Sequence, residues 1–298
     1  MTKSTWKWIV AGGVAGYLGW QKVQKDGRAG RFLAADSPRG TAVVTGASSG
    51  IGEQYARQLA KAGYDVILVA RRLDKLEVLA SELRLNHGVL AEALSADLAT
   101  PEGVERVEEA MGKLDDLVLL VNNAGFGTMG PLLEKGLYSQ LDMIHVHVNA
   151  AMRLTRAALS RMVPNSYGGV INVSSIVAFF HGAGSANYCA TKAYLNTFSK
   201  AVQAEMKDKG LVVQALCPGY TYTEFHDSQE YNEFSRNEVP GWLWMSSEAV
   251  VQESLHALGN GQVVVVPGWV NQVIVRFATL GIDLASLRRL AKRLKGGG

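Results

Sequence analysis

A tyrosine and a lysine stand four positions apart in the stretch NYCATK, as Tyr188 and Lys192. On a helix that spacing puts both side chains on one face, one turn apart. The pair joins an acid of pKa about 10 to a cation of pKa about 10.4. A cation held beside a phenol favours the phenolate and draws its pKa toward neutrality. So tuned, Tyr188 could work as a general acid–base. Tyr-x-x-x-Lys alone is equally compatible with two ordinary surface residues, and the rest of the chain has to decide between these readings.

A second group of residues speaks to phosphate chemistry. TGASSGIG, residues 45–52, places Gly46, Gly50 and Gly52 around Ser48, Ser49 and Ile51. The run follows an apolar, strand-like segment and opens a helix-like one. Glycines at such a turn let the backbone approach a phosphate closely, and the helix N-terminus behind them favours negative charge. In that position the pattern is a strong signal, although its spacing is Gly-x-x-x-Gly-x-Gly rather than Gly-x-Gly-x-x-Gly.

The elements that must position these groups recur along the chain. Apolar, β-branched runs occur at 41–45, 65–70, 89–94, 117–121, 169–174, 211–217 and 262–267. They read as strands buried on both faces. Helix-like segments lie between them at 50–63, 73–86, 101–113, 132–163, 187–209 and 247–258, with Pro101 and Glu102 suited to a first turn. Alternation of this kind predicts an α/β fold: a Rossmann-type doubly wound parallel sheet of about seven strands, in one domain over residues 40–268. Residues 220–246 form a long aromatic insertion, read either as a lid over a pocket or as plain surface packing.

Composition narrows the function classes. At 298 residues, 48% hydrophobic and 19% charged, the chain can bury a large core. A net charge of +3 is too mild to argue for a nucleic-acid partner. Cys189 and Cys217, the two cysteines, belong to no ligand set, so neither zinc nor a disulfide framework is supported. His145 and His147 lie two apart and make a poor metal pair on a helix, so both are read as structural. No metal site is expected. Cys189 is read as packing, and His181 as a candidate pocket-lining residue.

Both ends differ from the middle. Residues 1–35 carry a thirteen-residue apolar stretch, 8–20, bracketed by Trp6, Trp8, Tyr17 and Trp20 and followed by a polar linker. It is shorter than the about 20 residues of a full span and has no cleavage site behind it. It reads either as a short membrane anchor or as a helix packed on the protein itself. Residues 269–298 read as a basic amphipathic helix for a membrane surface, or as one packed on the domain or a second subunit. The expected location is cytoplasmic, on the inner face of a membrane if the ends engage one.

Taken in order, these motifs resemble the classical short-chain dehydrogenase/reductase family of NAD(P)-dependent oxidoreductases. The resemblance covers about residues 40–268: Thr45–Gly52, NNAG at Asn122–Gly125, Asn149, Ser175 in INVSS, Tyr188 with Lys192, and Pro218–Gly219 followed by Thr221 and Thr223. Ser175 precedes Tyr188 by thirteen residues, the interval usual in the family. The resemblance implies Tyr188 as proton donor, Ser175 as hydrogen-bond donor to the substrate oxygen, Lys192 as the tuning cation, and Asn149 as holder of a water that links Lys192 to solvent. It further implies Asp97 and Leu98 at the end of the third strand beside the adenine, Asn123 along the cofactor, and the Pro218–Thr221 backbone near the nicotinamide. Ser174 or Ser175 could otherwise simply cap the next loop.

A carboxylate at the end of the second strand would repel a 2′-phosphate. Here Ala70 is followed by Arg71 and Arg72, whose guanidinium groups suit one. NADP(H) is therefore the expected cofactor, with NAD(H) the alternative. The expected substrate is a small hydrophobic carbonyl or alcohol, and analogy with the family suggests a homo-dimer or homo-tetramer. Two other readings stand beside this one: a nucleotide-sugar epimerase/dehydratase relative, and a non-catalytic cofactor-binding scaffold at a membrane.

Overall fold

The first apolar run becomes β1, Thr41–Thr45, with all five residues buried. The structure, a computed structural model, describes residues 39–227 and 236–280. The apolar stretch 8–20 and the basic residues 281–298 lie outside the described residues. After β1 come α1 (Gly50–Lys61), β2 (Asp65–Ala70), α2 (Leu73–His87), β3 (Ala91–Ser95), α3 (Pro101–Gly112) and β4 (Leu117–Asn122). The second half adds α4 (Leu137–Ile144), α5 (Ala151–Met162), β5 (Gly168–Val173), α6 (Ala186–Met206), β6 (Leu211–Leu216), α7 (Ser247–Gly259), β7 (Val264–Val265) and α8 (Trp269–Thr279).

Seven parallel strands form one sheet in the order β3-β2-β1-β4-β5-β6-β7. Alternation along β1 divides the core. Ala42 and Val44 face a layer with Tyr55, Leu59, Leu76 and Val250 of α1, α2 and α7. Val43 faces the opposite layer with Val107, Leu154 and Val202 of α3, α5 and α6. Helices on both faces are what strands apolar on both faces require. The edge strand β3 departs from that expectation: it is mostly half-buried, because one side has no neighbouring strand. It also ends at Ser95, so Asp97 and Leu98 lie in the following loop rather than in the strand.

Local signals explain several boundaries. Thr100 caps α3, its hydroxyl accepting from Gly103 N–H at 3.1 Å, with Pro101 in the first turn. The single helix expected over 132–163 is broken. A 3-10 turn at Leu132–Glu134 precedes α4, and a π-turn at His145–Ala150 separates α4 from α5. An extra residue in a turn rotates the side chains that follow, and π-turns recur at functional sites. In the insertion, the described residues form short 3-10 turns and a two-residue parallel pairing, Thr221–Tyr222 with Met245–Ser246.

Chain order in the sheet reverses between β1 and β4. A crevice therefore opens over the carboxyl ends of these strands, where doubly wound sheets place their ligands.

Candidate active site

That crevice is a cleft of about 1430 Å³. It exceeds the roughly 300–1,000 Å³ of a drug-sized pocket and has room for a dinucleotide and a substrate together. All the site residues read from the sequence line it except Gly52 and Asn149.

At one end the glycine loop crosses the top of β1. Gly46 has φ +67°, and a Cβ there would lie 2.6 Å from Asn123 Nδ2. Gly52 sits beneath the loop, where a Cβ would strike the Gly46 carbonyl. The Asn123 amide is occupied in bracing this turn, donating to the carbonyls of Thr45 (2.9 Å) and Gly46 (3.2 Å). Ser49 is the N-cap residue of α1, but its side chain caps nothing. The first amides of the helix are thus left facing the cleft, as an anion site needs. Arg71 and Arg72 flank the same end. Arg72 Nε donates to Ser48 Oγ at 3.1 Å, and its Nη1 pairs with Glu224 at 2.8 Å. Lys75 reaches the same carboxylate at 3.0 Å.

Toward the middle, the end of β5 and the first turns of α6 bring three groups together. Ser175 lies just past β5, where Val177 N–H donates to its hydroxyl at 3.3 Å. That hydroxyl donates to Pro218 O at 3.4 Å and stands close enough to the Tyr188 phenol to favour its ionised form. One turn on, Lys192 is buried, its ammonium donating to Val173 O at 2.9 Å and lying 5.7 Å from the Tyr188 ring centroid. Burial pulls the Lys192 pKa down to about 7. Burial also pushes the Tyr188 phenol up, and the group that draws it back is the Ser175 hydroxyl. The sequence assigned that lowering to Lys192. In the structure the ammonium lies over the ring, bonded to a backbone carbonyl, and is itself drawn toward neutrality.

Asn149 does not line the cleft. It is exposed on the outer side of the π-turn, and its amide bonds His145 Nδ1 at 3.0 Å. Its inward neighbour is His147, at 1% exposure, with its ring 5.9 Å from that of Tyr188. Burial, and then the charge of Lys192, hold the His147 pKa well below the usual imidazole value. Cys189 is buried beside Ser185, with Sγ 3.3 Å from Oγ, as a packing residue would be. His181 is exposed and lines the cleft mouth. Among the described residues, no cluster of histidine, cysteine and carboxylate side chains could hold a metal ion.

A profile of the short chain dehydrogenases matches residues 40–233, about two thirds of the chain and every group just described from the glycine loop to Tyr188 and Lys192. The chain belongs to this family. As a short-chain dehydrogenase/reductase it is an oxidoreductase. It is 29% identical over 283 residues to very-long-chain 3-oxoacyl-CoA reductase-B of Danio rerio, covering 90% of this chain and 88% of that one. It is 34% identical over 181 residues to 17-beta-hydroxysteroid dehydrogenase type 3 of Homo sapiens, covering 59% and 57% respectively. A short-chain dehydrogenase from Sphingobium yanoikuyae, solved in complex with NADPH, superposes with TM-score 0.73 at 31% identity, over 85% of this chain and 95% of that one.

His147, read from the sequence as structural, is the residue whose ring meets that of Tyr188 from the π-turn between α4 and α5. The buried residues Met143, His147, Ala150, Leu154 and Ala158 recur at helical spacing, and Asn149 is out of phase with them. That phase was the available signal.

Proposed function

We propose that the protein is an NADPH-dependent reductase of hydrophobic carbonyl compounds, working reversibly on the matching secondary alcohols. The observation that carries this reading is the convergence of Ser175, Tyr188 and Lys192 on one cleft whose far end is an uncapped helix N-terminus beside two arginines. Glycines that leave no room for a Cβ, free first-turn amides and the paired Arg71 and Arg72 fit a phosphorylated dinucleotide. Gly46, Ser48, Ser49, Gly50 and Ile51 would cradle its phosphates, and Arg72 with Ser48 would hold a 2′-phosphate. When bound, the nicotinamide supplies or accepts a hydride.

Tyr188 delivers the proton to the carbonyl oxygen of the substrate. Ser175, beside the phenol, donates to the same oxygen and steadies the charge that gathers there. Lys192, with a pKa near 7, exchanges protons readily at neutral pH and favours the phenolate when charged. Phe180, Phe225, Val239 and Leu243 give the remaining wall of the cleft an apolar lining, which supports a greasy substrate. The names of the relatives, a 3-oxoacyl-CoA reductase and a hydroxysteroid dehydrogenase, point the same way. The test is a panel of carbonyls, including long-chain 3-oxoacyl thioesters and ketosteroids, with NADPH consumption followed by absorbance. Turnover of at least one hydrophobic member, abolished in Tyr188→Phe, is expected. A chain that binds NADPH yet reduces none of the panel would overturn the reading.

A further inference from the structure

The mechanism above leaves His147 without a role, yet both nitrogens of its buried ring have partners. Phe126 N–H donates to Nε2 at 3.3 Å, which makes Nε2 an acceptor and puts the ring proton on Nδ1. Nδ1–H then donates to Thr191 Oγ1 at 3.0 Å, and the Thr191 hydroxyl donates onward to the Tyr188 carbonyl at 3.0 Å. One tautomer satisfies all three bonds. A cationic ring would lose the bond from Phe126 and set a second charge beside Lys192.

The fit is reciprocal. Gly125 faces the ring, and a Cβ there would lie 2.5 Å from Nε2. On its other side the imidazole meets the Tyr188 ring edge-on. The residues tied together come from two elements. Gly125 and Phe126 belong to the loop after β4 that forms part of the cleft wall, and Thr191 with Tyr188 belongs to the opening turns of α6. A phenyl ring would fill the same volume but make neither hydrogen bond.

We propose that neutral, Nδ1-protonated His147 is a positioning residue for the reaction, fastening the loop after β4 to the helix turn that carries Tyr188 and Lys192. The inference rests on the reading of Tyr188 as proton donor. His147 is not among the residues that line the cleft; it acts through where it holds Tyr188 and the cleft wall. Asn149, two residues on and facing outward, takes no part in it.

The test has two arms on the full chain. Nitrogen NMR of histidine-labelled protein reads the tautomer without any turnover. A neutral His147 with its proton on Nδ1 is expected at pH 7; a charged ring, or a proton on Nε2, overturns the proposal. The second arm compares His147→Gln with His147→Phe. The glutamine can accept from Phe126 and donate to Thr191, whereas the phenyl keeps only the ring. NADPH occupancy is measured by energy transfer from tryptophan, and kcat on a bulky aromatic ketone is expressed per occupied site. His147→Phe should lose about ten- to a hundredfold in that kcat, as two buried hydrogen bonds would give. His147→Gln should recover most of it. Equal per-site kcat in wild type and His147→Phe overturns the proposal, because a residue that only supports the fold would lower the occupied fraction instead. A wild-type chain that failed to bind NADPH would count against the functional reading while leaving the tautomer measurement valid.

Discussion

The Lys192 ammonium lies 5.7 Å from the centre of the Tyr188 ring, and its hydrogen bond goes to the Val173 carbonyl rather than to the phenol. The group that draws the phenol back from the rise imposed by burial is the Ser175 hydroxyl. The serine hydroxyl thus favours ionisation of the phenol, while the lysine lies over the ring face with its own pKa drawn down by burial.

Replacing Tyr188 with phenylalanine removes the donor and keeps the ring that packs against His147 and Phe225. General acid catalysis contributes about a hundred- to ten-thousandfold. Turnover should therefore fall by about a thousandfold with NADPH affinity changed less than about threefold, since the phosphate end of the cleft is untouched. Steady-state kinetics and NADPH titration together check this. Retained turnover would remove Tyr188 from the mechanism.

Lys192 yields a prediction about stability that runs against activity. Unfolded, its amine keeps a proton up to the ordinary pKa of 10.5; folded, burial brings that value to about 7. Between the two the unfolded chain holds the extra proton, so stability should climb as pH rises through this window. Buried Cys217 and Tyr55, whose pKa values burial raises from 9.0 and 10.0, oppose the climb at the alkaline end, so pH 7–9 shows it best. Lys192→Met should flatten the slope. At pH 7 it relieves a burial penalty on the order of 5 kcal/mol. It also leaves the Val173 carbonyl without its donor, at about 1–3 kcal/mol. The relief wins by roughly 2 kcal/mol or more, raising Tm by about 4–8 °C while turnover collapses. Thermal melts across pH in both proteins measure it; a lower Tm in the variant at pH 7 would contradict the account.

The sheet was legible because its signal is repeated. Seven apolar runs alternate with amphipathic stretches, and a strand buried on both faces can be little else. The glycine loop was legible because steric demand at Gly46 and Gly52 admits few other residues. What escaped was the break in the long helix. A helix read as continuous from 132 to 163 does not show the π-turn at His145–Ala150, where the His147 ring meets that of Tyr188 and the Asn149 side chain is exposed. The direction of the Tyr188 shift escaped for a related reason. Spacing placed a cation one turn away, but burial and the bond partner of that cation are tertiary facts.

From the outward placement of the Asn149 side chain comes a prediction of near-silence. Asn149 is exposed, and its amide contacts only the equally exposed His145 side chain four residues back. Surface substitutions of this kind change stability by no more than about 0.5 kcal/mol. Asn149→Ala should therefore keep kcat and KM within about twofold of wild type. A loss of tenfold or more would return Asn149 to the proton path and displace His147 from the role argued for it.

On the proposed function cofactor choice rests on Arg72, and its neighbours make the prediction quantitative. The guanidinium is held against the glycine loop by Ser48 and is shared with Glu224. A hydrogen bond to a charged partner is worth about 1.5–3 kcal/mol. Arg72→Ala should then cut kcat/KM for NADPH by about ten- to a hundredfold and leave that for NADH within about threefold. Glu224 bears on the same site with the opposite sign. Its carboxylate, held below the usual range by Arg72 and Lys75, competes with any phosphate for both cations. The pair is solvent-exposed and so contributes no more than about 1 kcal/mol. Glu224→Gln should accordingly tighten NADPH by up to about fivefold without touching NADH. Kinetics with both cofactors on wild type and the two variants separate these effects. Equal losses for NADPH and NADH in Arg72→Ala would mean that the arginine braces the loop and does not read the phosphate.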